Sequence, residues 1–109
     1  MTNEKTAVKV PEGKTLKIVA RRWFQKTYGN TYHSVRIYEV SGTGSEYKET
    51  LIAEQPFEYG YDRQYLQTAV DLLNDINYFG GTVGYRELIN MLGGDVIERV
   101  TDVQRKKDL

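Results

Sequence analysis

From Leu16 to Phe24 apolar and polar side chains alternate. Leu16, Ile18, Ala20 and Phe24 fall on one side and Lys17, Val19, Arg21 and Trp23 on the other. A period of two predicts a strand. A second run of the same period covers 31–40, with Val35 and Ile37 on one face. Between the runs stands Gly29-Asn30, a dipeptide suited to a two-residue hairpin turn of the primed type. If these two residues are the loop, the numbers of cross-strand partners sum to 59: Phe24 faces Val35, Trp23 faces Arg36, Arg22 faces Ile37 and Arg21 faces Tyr38. The core face then carries Leu16, Ile18, Phe24, Val35 and Ile37. The other face carries Lys17, Arg21, Trp23, Tyr32, Ser34, Arg36 and Tyr38.

Further along, Gly42-Thr43-Gly44-Ser45 predicts a turn and 47–57 a third strand, which Pro56 ends or marks as an edge. Asp62 is placed as a helix N-cap. Tyr65, Leu66, Ala69, Val70, Leu72, Leu73 and Ile76 then recur at helical spacing, and Gly80-Gly81 stops the helix. A shorter helix follows over 83–92, with Thr82 as cap and Gly93-Gly94 as exit. The stretch 96–104 reads as a final strand or more helix. Residues 1–13 read as a flexible polar arm ending in the Pro11-Glu12-Gly13 turn, and 105–109 as a solvated tail. Strands followed by helices predict one α+β domain over 14–104. It would hold an antiparallel sheet of three to four strands built on the hairpin, with two helices on one face and the other face open.

The composition narrows the chemistry. The 109 residues contain no Cys and one His, which excludes disulfides, thiol catalysis and Cys-ligated zinc. No apolar run approaches the roughly 20 residues of a membrane helix, and no signal segment opens the chain, so a cytoplasmic location and no membrane partner are the default expectation. Lys+Arg and Asp+Glu are equal at 15 each. That neutrality hides a dipole: residues 1–38 balance at +6 and residues 39–79 at −6. Either the two halves attract each other in the fold or one of them meets a charged partner.

The outer hairpin face is the main candidate site. Trp23, Tyr32 and Tyr38 alternate there with Lys17, Arg21 and Arg36, and the hairpin tip adds Lys26, Tyr28, Asn30 and His33. Aromatic rings stack bases and cations neutralise phosphates. The same residues also stabilise a hairpin simply by pairing across it. A second candidate is an anion site at the helix N-terminus formed by Tyr59, Tyr61 and Arg63, opposed by the capping carboxylate of Asp62. Gly80-Gly81-Thr82-Val83-Gly84 lacks the Lys-Ser/Thr ending of a phosphate loop and follows a helix. Catalysis has no support. His33 is the sole His, no Gly-x-Ser-x-Gly elbow exists, and Glu46-Tyr47-Lys48 has no upstream Asp. No metal or cofactor is expected.

The stretches Arg21-Arg22-Trp23-Phe24-Gln25-Lys26-Thr27-Tyr28-Gly29-Asn30-Thr31-Tyr32-His33-Ser34-Val35, Pro56-Phe57-Glu58-Tyr59-Gly60-Tyr61 and Tyr65-Leu66-Gln67-Thr68-Ala69 resemble small uncharacterised phage and prophage proteins. The resemblance spans 17–73 and implies a viral accessory protein, a class that binds nucleic acid or blocks a host factor. Two functions are therefore expected as rivals. One is a non-enzymatic module holding single-stranded nucleic acid or a nucleotide on the basic-aromatic face. The other is a protein–protein inhibitor of a host factor, of anti-defence type, using that face or the acidic half. The face could also close a homodimer.

Overall fold

The computed structural model describes residues 10–109. Three long strands come first: β1 (Lys14–Gln25), β2 (Asn30–Ser41) and β3 (Lys48–Tyr59). Two helices follow, α1 (Gln64–Asp75) and α2 (Tyr85–Met91), then β4 (Val96–Val103). The class is α+β, as the pattern predicts. The sheet order is β3-β2-β1-β4, with β4 parallel to β1. The sheet is thus mixed rather than antiparallel. The chain leaves β3 at one edge, passes through both helices and returns beside β1 at the other edge, a crossover that delivers a parallel strand. No helix among the described residues is long and apolar enough to cross a membrane.

The hairpin register differs from the predicted one. Gln25 pairs with Asn30 and Trp23 with Tyr32, so 26–29 form a four-residue loop. Gly29 takes the positive φ of +70° and its N–H donates to the Gln25 carbonyl at 2.8 Å. Partners shift by four residues, an even number, so every side chain keeps its face. Leu16, Ile18, Ala20, Val35 and Ile37 are fully buried against Leu66, Ala69 and Leu73 of α1, Leu88 of α2 and Val96 of β4. Phe24 loses its expected place in this core. Val35 now lies opposite Ala20, Phe24 faces Thr31, and its ring is 53% exposed.

Local signals moved at several ends. Asp62 does not cap α1; it sits at φ +56°, and its carbonyl accepts a hydrogen bond from Arg22 Nη1 at 3.0 Å. The helix stops at Asp75, before the glycines. Asn77 at φ +53° closes it, with Tyr78 N–H on the Leu73 carbonyl and Asn77 N–H on the Asn74 carbonyl. Gly84, not Thr82, precedes α2, and its N–H donates to Glu87 Oε1 at 2.7 Å. Pro56 lies inside β3, tolerated because β3 is an edge strand, and the β2–β3 register shifts beside it between His33 and Val35. Of the predicted N-terminal arm, residues 1–9 lie outside the described residues, and Val10 is packed into the core at 5% exposure.

Candidate functional site

On the face opposite the helices, Trp23 of β1, Tyr32 of β2 and Phe57 of β3 form a row. Trp23 and Tyr32 have ring centroids 5.8 Å apart and planes 27° apart. Tyr32 and Phe57 are at 4.7 Å and 16°. Tyr59 meets Tyr32 edge-on at 5.6 Å. These spacings follow the roughly 4.8 Å between strands, so the rings stand upright with their faces toward each other. Both faces of Tyr32 are consequently occupied within the protein. Phe57 turns one face to Tyr32 and carries the Lys106 ammonium over its ring, 4.8 Å from the centroid. On its β4 side Trp23 lies opposite Val103, and the residue is half-buried.

The predicted cations differ in their surroundings. Lys17 Nζ is 2.7 Å from Glu49 Oε2. This hydrogen bond raises the Lys17 pKa, and with one from Tyr47 it lowers that of Glu49. Arg36 lies 3.8 Å from Glu54. Both are thus matched by carboxylates of β3. Arg21 donates to the Asp108 carbonyl at 3.3 Å, which ties the C-terminal turn Lys106–Asp108 to the outer face. This tail straps the outer face at Asp108 while the side chains of Arg105, Lys106 and Lys107 stay exposed. Lys26 is exposed in the loop and has no carboxylate partner among the described residues, and Tyr28 beside it is 75% exposed. Tyr38 pairs with Lys17, six residues along β1 from Trp23, or about 20 Å. Lys17 and Tyr38 thus belong to the far end of the face, while Arg21, Trp23, Lys26, Tyr28 and Tyr32 share the hairpin end.

At that end β4 stops opposite Trp23 while β1 runs on to Gln25. A cleft of about 680 Å³ opens there at the sheet edge, lined by Trp23, Gln25 and Val103, by Arg22, Phe24, Thr31 and Asp102 of the opposite face, and by Lys26 and Asp62 of the loops. Arg22 and Asp102 are joined at 2.8 Å. The second predicted site lies elsewhere, in a cleft of about 610 Å³ at the start of α1 that includes Tyr59, Tyr61 and Arg63. Arg63 is held there by both oxygens of Glu98, at 3.1 and 3.2 Å, and Tyr65 donates to the same carboxylate. Its charge is answered within the protein, so this place lacks the unpaired cation an anion needs.

His33 is fully buried, away from the exposed tip. Its Nδ1 is 3.2 Å from the Gly60 carbonyl and its Nε2 2.7 Å from Thr68 Oγ1. Burial lowers its pKa, against smaller raising effects from the Gly60 carbonyl and Glu58. The segments 21–35, 56–61 and 65–69 therefore meet in space, through Tyr32 with Phe57 and Tyr59 and through His33 with Gly60 and Thr68. Sequence reasoning missed Phe57 and Gln25. The irregularity near Pro56 breaks the alternation that would place Phe57, and Gln25 gains meaning only once the hairpin register and the end of β4 are known. Comparison with protein-family models, curated proteins and solved structures gives no match.

Proposed function

We propose that the protein is a non-enzymatic binding module that holds single-stranded nucleic acid or a nucleotide-like ligand at the hairpin end of its outer sheet face. The observation that carries this reading is the convergence of Trp23 and Lys26 on one cleft at the hairpin end, with no carboxylate partner for Lys26 among the described residues. A base stacks on that indole, and phosphate meets Lys26 and Arg21. Tyr32 supports Trp23 from behind rather than stacking ligand itself. Lys17, Arg36 and Tyr38 serve the far end of the face, where a longer strand would pass.

Trp23 is the only Trp, so its fluorescence reports on the site directly. Titration with short single-stranded DNA or RNA at low salt is expected to quench it to saturation and to reverse on adding salt. Trp23→Ala, followed by competition with a labelled oligonucleotide, is expected to cost about 1–3 kcal/mol of binding, the usual worth of one base stack. Unchanged affinity in the folded variant would sink the assignment.

The rival reading, a protein–protein inhibitor, draws support from β3. It is a 12-residue edge strand, largely exposed, and it carries Glu49, Glu54 and Glu58. An extended basic segment of a host protein would suit that edge. Such an interface binds with Trp23 undisturbed by oligonucleotides. The anti-defence version of this reading rests on the phage resemblance.

A further inference from the structure

We infer that the free edge of β4 pairs antiparallel with the same edge of a second copy of this chain, joining two four-stranded sheets into one. β4 ends the strand order, and no strand among the described residues lies on its far side. The Leu16 N–H donates to the Asp95 carbonyl at 2.9 Å, and Leu16 stands opposite Val96. In a parallel ladder this fixes which peptide groups face β1: those of the odd-numbered residues from Asp95 to Val103. The even-numbered residues turn theirs outward. Val96 is answered there by the turn before the strand, with the Gly93 N–H on its carbonyl and a bridge to Leu92. The backbone N–H and C=O groups of Glu98, Val100 and Asp102 have no partner among the described residues, and Val100 is 39% exposed.

The two sheet edges are built differently. β3 carries Pro56, two register shifts and Glu49, Glu54 and Glu58, features that keep an edge from pairing with another chain. β4 has no Pro, no Lys and no irregularity in its register. Its sequence also matches itself. Outward groups meet outward groups only where the numbers of antiparallel partners have an even sum. At a sum of 200 all three free residues are used: Val100 lies on the two-fold axis against its own copy, and Glu98 pairs with Asp102 of the second copy. On the outer face Ile97 then meets Val103, and Arg99 meets Thr101. Glu98 and Asp102 each bring a cation of their own, Arg63 at 3.1 Å and Arg22 at 2.8 Å, which offsets their mutual repulsion. A sum of 198 sets Arg99 against Arg99 and calls on Val96 groups that are already bonded. A sum of 202 sets Val100 against Asp102 and carries Glu98 past the end of the strand. With its carboxylates and guanidiniums so nearly balanced, this edge suits a second copy of itself, whereas acidic β3 suits a basic segment. The two-fold axis runs normal to the sheet, so both outer faces lie on one side and the hairpin ends point in opposite directions. The pairing stands independently of the nucleic-acid reading.

Sedimentation equilibrium of the whole chain over a range of concentrations tests it. The natural chain is expected to show a reversible monomer–dimer equilibrium. Thr101 is exposed and directly opposite Arg99 of the second copy, and Arg99 has no carboxylate partner among the described residues. Thr101→Lys is expected to raise the dissociation constant about tenfold and Thr101→Glu to lower it about tenfold, since each dimer holds this cross-strand pair twice. Leu51→Lys, on the exposed β3 edge, is expected to leave it unchanged. Opposite shifts from the two Thr101 variants support the β4 pairing. A chain that stays monomeric to its solubility limit overturns it, and so does a dimer that ignores both Thr101 variants or weakens with Leu51→Lys. If Thr101→Lys fails to fold, Thr101→Glu and the natural chain still decide.

Discussion

His33 shows how much one residue's setting decides. The ring bridges β2, α1 and the residue between β3 and α1, through Thr68 Oγ1 at 2.7 Å and the Gly60 carbonyl at 3.2 Å. Gly60 permits this approach: a Cβ there would stand 2.4 Å from Gln64 Cγ and 3.1 Å from His33 Cε1. With the neutral ring buried, the folded pKa falls below the unfolded value of about 6.5. The unfolded chain then binds the proton more tightly. This contribution to stability is complete above about pH 6.5 and is lost as pH falls from there toward the folded pKa. Urea midpoints across that window are expected to decline in the natural chain and to stay flatter in His33→Gln. Equal slopes would show that some other group titrates. The sequence could not reveal this role, since a lone His on a strand carries no mark of what α1 brings to it.

The hairpin poses the same problem for a whole element. A two-residue turn of type I′ requires positive φ at both Gly29 and Asn30, and one of type II′ at Gly29 alone. In the four-residue loop only Gly29 is left-handed, at +70°, and Asn30 is an ordinary strand residue paired with Gln25. Gly29→Ala is therefore expected to cost about 1–2 kcal/mol from backbone strain alone, as nothing lies within 4 Å of the added Cβ. Asn30→Thr is expected to be neutral or mildly stabilising. Equal losses from both substitutions, read as urea midpoints, would restore a two-residue turn of type I′. The alternation of Leu16, Ile18, Val35 and Ile37 made the faces legible, because faces depend on parity alone. Register depends on the turn, and Gly29-Asn30 fits two turns. The pairing of β4 was less legible still. Val96 to Val103 does not alternate cleanly, and its direction is set by how the helices carry the chain back. Asp62 has the right side chain for a cap, but the turn from β3 needs it left-handed, and that demand prevails.

At the scale of the whole molecule, the sheet answers most of the charge dipole written in the sequence. Basic β1 is separated from acidic β3 only by the balanced strand β2, and Lys17–Glu49 and Arg36–Glu54 reach β3 across the outer face. Exposed pairs of this kind add little stability, but they decide how many cations remain for a phosphate backbone. At the hairpin end these are Lys26, Arg21 and, on the strap, Lys106. For single strands the logarithm of the binding constant falls with that of salt by about 0.7 per neutralised phosphate. Three contacts therefore predict a slope near −2, shallow for a nucleic-acid binder. Glu49→Gln with Glu54→Gln would release Lys17 and Arg36 and steepen the slope to about −3.5 for a strand long enough to reach them. Trp23 quenching at four or five salt concentrations measures both slopes. If the double variant leaves the slope unchanged, the strand does not run the length of the face, and binding is confined to the hairpin end. A flat response in both proteins would place the apolar row, not the cations, at the centre of recognition, as a protein partner requires.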